Sequence, residues 1–144
     1  MDRPFITELE IAAPPEIVYA YFLEPAKMVR WMGERAQLRA VAGGAFSVDI
    51  NGVLIRGHYV TLDPSRQIVV AWGQLGNPAM PPGSTRVVID LTPTRNGTHL
   101  RLSHSGLVPE EAEKHAMGWP HFLGRMRICA EGREPGVDPF SRQG

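Results

Sequence analysis

What most restricts the fold of this 144-residue chain is a change of hydrophobic period late in the sequence. From Pro109 onward Ala112, Ala116, Trp119, Leu123, Met126 and Ala130 recur every three or four residues and form one apolar stripe, widened by His115, Phe122 and Cys129. Just before it the period is two: Val87, Ile89 and Leu91 alternate with Val88, Asp90 and Thr92. Leu100, Leu102 and His104 then alternate with Arg101, Ser103 and Ser105. A sheet with one apolar face must bury it against another element, and the helix over 109–130 is the only one long enough. The expectation is an α+β fold, a curved antiparallel sheet around a long C-terminal helix.

Upstream segments supply the rest of the sheet. Phe5, Thr7, Leu9 and Ile11 alternate with Ile6, Glu8 and Glu10, a half-buried strand. Pro14-Pro15-Glu16 opens a short helix and Pro25 a second one that stops at Gly33. Phe46, Val48 and Ile50 alternate with Ser47 and Asp49, and Asn51-Gly52 is a two-residue hairpin signal leading into a strand over 53–62. Ile68, Val70 and Trp72 share one face of the next strand. Gly76 to Gly83 is too rich in Pro and Gly to be regular, and Asn96-Gly97 predicts another tight hairpin. Successive hairpins make an antiparallel meander. The count is about six strands, with two short helices after strand 1. Residues 1–132 read as one domain and 133–144, which lack any period, as a flexible C-terminal tail.

Fifteen basic and fifteen acidic residues cancel, so no net field gathers nucleic acid or an anionic membrane surface, and neither is expected as a partner. No segment approaches the ~20 apolar residues of a bilayer span, so membrane insertion is not expected. Met1-Asp2-Arg3-Pro4 does not lead into a signal-peptide core, and Cys129 is the only cysteine, which together predict a reducing, cytoplasmic setting. In its apolar helical stretch Cys129 reads as a buried, inert thiol.

Several collinear motifs carry a resemblance. Ala13-Pro14-Pro15-Glu16-x-Val18 and Arg30-Trp31-Met32-Gly33 open it; Gly43-Gly44-x-Phe46, Asp63-Pro64 and Ile68-x-Val70-x-Trp72 follow. Ser84-Thr85-x-Val87, Gly97-Thr98-x-Leu100-x-Leu102-x-His104-Ser105-Gly106 and Gly118-Trp119-x-x-x-Leu123 complete the set. Over residues 4–131 the chain resembles domains like the activator of heat-shock protein 90 ATPase homologue. These belong to the SRPBCC/START-like, helix-grip superfamily that also holds START lipid carriers and birch-pollen allergens. The resemblance implies a helix-grip fold with a cavity between sheet and helix, in a family whose bacterial members often have no assigned ligand. Chaperone stimulation, it further implies, belongs to longer eukaryotic proteins with an extra N-terminal domain for which this chain has no room.

If such a cavity exists, the ligand-binding candidates are Trp31, Trp72, Gln74, His104, Trp119, Phe122, Leu123 and Met126. His104 shares the apolar parity of Leu100 and Leu102 and should face the helix. It is either a polar contact inside a pocket or a neutral imidazole satisfied by its neighbours, the commoner fate of a buried polar group. Trp72 and Trp119 are equally readable as pocket wall or plain core. Trp31, near a helix end, would rim an entrance, and Gln74 continues the inward parity of Trp72. Arg56 and His58 share one strand face; turned inward they could hold an anion, but a solvated outer face is the ordinary case. Glu110, Glu111 and Glu113 suit the first turn of the helix. Pro120 should bend or break the helix at Gly118-Trp119-Pro120.

No metal site is expected, since the histidines lack ligand spacing, and no cofactor, since no phosphate loop or dinucleotide fingerprint appears. Ser103 and His104 are strand neighbours that face opposite ways, so they cannot act as nucleophile and base, and no catalytic residue is assigned. The favoured reading is a binding protein for a small hydrophobic or aromatic ligand. Two alternatives stay open: a cyclase or aromatase-type enzyme using the same pocket, with His104 as acid/base, and a weaker one, a chaperone-interaction module. A homodimer is compatible with either.

Overall fold

The computed structural model describes residues 3–138, and the hairpins close into one antiparallel sheet of seven strands. In chain order the elements are β1 (Phe5–Ile11), α1 (Pro15–Ala20), α2 (Pro25–Met28), β2 (Arg35–Leu38), β3 (Ala45–Ile50), β4 (Val53–Asp63), β5 (Gln67–Gln74), β6 (Thr85–Thr94), β7 (Gly97–Ser105) and α3 (Pro109–Ala130). The spatial order is β1-β7-β6-β5-β4-β3-β2, so the first strand closes the meander beside the last one. The sheet is curved and open, with the long C-terminal helix against it, the helix-grip arrangement.

The strand count exceeds the expected six by β2. Arg35-Ala36-Gln37-Leu38 is too short to establish a period and has no β-branched residue, so propensity cannot reveal it; it becomes a strand by pairing with Phe46–Asp49 of β3. The β3–β4 turn has the expected centre, with Asn51 and Gly52 both at positive φ (47° and 85°), as a two-residue hairpin of this hand requires. The β6–β7 turn lies one residue earlier than expected. Thr94 pairs with Gly97, so Arg95-Asn96 forms the turn and Gly97 already belongs to the strand. Between Tyr59 and Thr61 the β4–β5 register shifts, and such a bulge adds local twist to a sheet that curls.

The inward faces follow the alternation. Val48, Ile55, Tyr59, Ile68, Val70, Val87, Ile89, Leu100 and Leu102 are all buried and join one cluster with Trp119, Leu123 and Met126 of α3. Burying each of those three helix side chains is worth ~1.5–3 kcal/mol, enough to hold the helix on the sheet.

α3 runs unbroken from Pro109 to Ala130, with Pro120 inside it, so the expected break is absent. Pro120 and Ala116 both lie on the exposed side. There the carbonyl of Ala116, which Pro120 cannot bond, is open to water, and the buried Trp119, Leu123 and Met126 hold the helix on either side. The apolar stripe is thus interrupted at Ala116. No helix among the described residues is long and apolar enough to cross a membrane. Beyond α3, Arg125 Nη2 donates to the carbonyl of Gly136 (3.0 Å) and Arg30 pairs with Glu134 (2.9 Å). The rest of the expected tail, 139–144, lies outside the described residues.

Candidate functional site

Between the N-terminal half of α3 and strands β3 to β5 lies a cavity of about 260 Å³. Residues 111, 115, 118 and 122 recur at helical spacing and present one face of α3 to it, with Trp119 beside them. Trp72 and Gln74, two apart on β5, form the opposite wall. Ile50, Val53 and Ile55 come from the β3–β4 hairpin, Met32 from the segment after α2, and Met80 from the Pro/Gly-rich loop. That loop folds directly onto β5: a Cβ at Gly73 would sit 1.9 Å from the carbonyl oxygen of Pro81. The backbone N–H of Gln74 donates to the carbonyl of Met80 (2.7 Å), which fixes the almost fully buried Met80 in the wall. On the helix side, a Cβ at Gly118 would meet no atom within 4 Å. The missing side chain is itself part of the open volume.

Behind the wall, His104 is fully buried and both its nitrogens are engaged. The Thr85 hydroxyl donates to the carbonyl of Trp72 (2.6 Å) and accepts from His104 Nε2–H (2.8 Å). Trp119 Nε1–H donates to His104 Nδ1 (3.0 Å). Those bonds require the neutral Nε2–H tautomer. Burial first, and His115 nearby second, push the His104 pKa down from 6.5 to about 3.

His115 repeats the arrangement on the cavity surface. Trp72 Nε1–H donates to its Nε2 (3.2 Å), and its Nδ1–H donates to the carbonyl of Glu111 (2.7 Å). Its pKa is lowered too, chiefly by burial. The two rings meet edge to face with centroids 4.8 Å apart. Next to His115, Glu111 is 5% exposed, and its Oε2 accepts from Asn77 Nδ2 (3.0 Å) and more loosely from Lys114 Nζ (3.4 Å). Asn77 Nδ2 also donates to Gln74 Oε1 (3.1 Å), so the loop, β5 and the start of α3 share one polar knot.

Of the sequence-predicted residues, Trp72, Gln74, Trp119 and Phe122 line the cavity. His104 stands one layer behind them, in contact with Trp72 and Trp119. Leu123 and Met126 are buried in the core away from the cavity. Trp31 is core as well: its Nε1–H donates to the carbonyl of Tyr21 (3.1 Å) and its ring meets Phe22 edge to face. Arg56 and His58 turn away from the buried Ile55 and Tyr59, and Arg56 pairs with Asp49 (2.8 Å) on the outer face.

Sequence reasoning did not reach Glu111, His115 or Gly118 as site residues. Glu111 is a helix-start acid like Glu110, and nothing local marks it as the buried one. Gly118 did carry a signal, since a glycine inside an apolar helical stripe costs ~1 kcal/mol and needs a compensating reason.

Comparison with known proteins adds the family. Residues 12–131 match the family described as Activator of Hsp90 ATPase homolog 1-like protein. None of the curated proteins matches the chain significantly. Among solved structures, an AHSA1-like protein of Rhizobium etli is 37% identical, with a TM-score of 0.77, over 100% of this chain and 91% of that one. A protein of Mesorhizobium loti is 25% identical, with a TM-score of 0.77, over 87% and 94% of the two chains. The Aha1 dimer of Colwellia psychrerythraea shares the fold (TM-score 0.78) at 21% identity, over 90% and 97%.

Proposed function

The chain belongs to the Activator of Hsp90 ATPase homolog 1-like family, and on that premise we propose that it binds a compact hydrophobic or aromatic molecule between sheet and helix. The observation that carries this reading is the cavity of about 260 Å³ bounded by Trp72, Trp119 and Phe122 and left open by Gly118. Ligand pockets are apolar enclosures with a few placed polar groups, at ~300–1,000 Å³ for drug-sized ligands, so this volume suits one or two rings. Binding is favoured over acid–base catalysis because both nitrogens of His104 and of His115 are spent on intramolecular bonds. A general base needs a free lone pair within reach of substrate.

Gly118→Leu tests the proposal. The added side chain enters open space and replaces a helix-interior glycine, so the variant should be at least as stable as the parent, by up to ~1 kcal/mol. A neutral apolar dye such as N-phenyl-1-naphthylamine should bind the parent protein one-to-one and quench tryptophan fluorescence. The variant should lose that binding. Undiminished dye binding by Gly118→Leu would place the ligand elsewhere and defeat the proposal.

A further inference from the structure

The cavity wall contains one carboxylate that the protein leaves half used. Glu111 has a side chain only 7% exposed. Its Oε2 accepts from Asn77 and Lys114, whereas its Oε1 accepts no hydrogen bond among the described residues; His115 Nδ1 lies 4.0 Å from it and is already bonded to the Glu111 carbonyl. A buried carboxylate is costly unless a cation or several donors satisfy it. Lys114, the one cation on the wall among the described residues, is 73% exposed and reaches Oε2 at 3.4 Å from the rim, where water screens it. His115 Nε2 accepts from Trp72 Nε1–H, and burial disfavours the charged form of the ring. Among the described residues, the buried formal charge facing the cavity is therefore negative, and Trp72, Trp119 and Phe122 surround the same space with aromatic rings. Rings attract cations through their negative faces, and a carboxylate facing the same space attracts them further.

Resting on the pocket reading above, we infer that the cavity selects organic ammonium ligands: a small aromatic or aliphatic body carrying a protonated amine that donates to Glu111 Oε1. A neutral alcohol of the same shape could donate one hydrogen bond but would leave the charge uncompensated. A carboxylate would be repelled.

Calorimetric titration at neutral pH with three probes sharing one ring system tests this: 1-naphthylmethylammonium, 1-naphthylmethanol and 1-naphthoate. The ammonium should bind about tenfold or more tightly than the alcohol, with naphthoate weakest. Glu111→Gln should weaken the ammonium far more than the alcohol and bring the two to within about twofold of each other. Lys114→Met, which removes only a rim charge, should widen the ammonium preference, and it decides the matter if Glu111→Gln does not fold. Equal affinity for ammonium and alcohol, or a preference for naphthoate, would overturn the inference while leaving the pocket in place. No binding of any probe would overturn the pocket reading and the inference with it.

Discussion

His104→Phe keeps an aromatic ring of similar shape and removes both ring nitrogens, so its consequences can be worked out bond by bond. Trp119 Nε1–H loses its acceptor in a site without access to water, which costs ~1–3 kcal/mol. Thr85 keeps its own acceptor, the carbonyl of Trp72, so little is added there. At pH 7 the variant should be less stable by about 2 kcal/mol. Acid reverses the comparison. The folded-state pKa of His104, about 3, lies below its ordinary 6.5, so its contribution is complete above 6.5 and is lost as the pH falls toward 3. At ~1.36 kcal/mol per pH unit, the parent protein gives up about 3 kcal/mol through this residue between pH 7 and pH 4. The variant has nothing to protonate at this position. Urea unfolding at pH 7, 6, 5 and 4 should therefore show the two stability curves converging and crossing, the variant ending about 1 kcal/mol ahead at pH 4. Parallel curves, with the same pH slope for both proteins, would refute a buried neutral imidazole at 104.

On the outer face, His99 lies between Glu8 and Glu10, which raise its pKa through side-chain hydrogen bonds, so whatever it contributes is complete below 6.5 and fades as the pH rises through the raised value. An NMR titration should place its midpoint above 6.5, and Glu10→Gln should lower it; a midpoint unmoved by that change would contradict the contact. Pro120→Ala restores an N–H to the Ala116 carbonyl on an exposed helix face and should stabilise the protein by ~1–3 kcal/mol in urea unfolding, with dye affinity unchanged. A loss of stability would mean that the proline ring packs in a way its exposure denies. Gly73→Ala forces a Cβ against the Pro81 carbonyl and should lift the loop that holds Met80, weakening dye binding and costing ~1–3 kcal/mol; full dye affinity in that variant would free the loop from any part in the cavity.

Most strands were legible because each has one wet and one dry face, and Phe46–Ile50 or Leu100–His104 can be read by parity alone. β2 escaped because four residues without branched side chains carry no period. For the strand holding Arg56 and His58, parity failed since Val53, Ile55 and Tyr59 oppose Leu54, Val60 and Leu62, apolar on both sides. The structure decides it through Tyr59, which is fully buried with its hydroxyl donating to the carbonyl of Phe22 (2.7 Å). The aromatic half of the site, Trp72, Trp119 and Phe122, came from the same periodicity. Its polar half did not, because the position of Glu111 depends on an irregular loop folding back so that Asn77 reaches the helix. Gly118 was visible as an anomaly, but sequence alone registers only the cost of a helical glycine and not the space it leaves.

The three tryptophans make the central claim directly measurable, since each contributes one indole N–H resonance and only two line the cavity. Titration of the isotopically labelled protein with 1-naphthylmethanol should shift the Trp72 and Trp119 indole signals with a common saturation curve. Trp31, bonded to the Tyr21 carbonyl in the core, should stay in place. If all three resonances remain unmoved at saturating probe, or Trp31 moves as far as the other two, the cavity between Trp72 and Trp119 is not where this protein takes up its ligand.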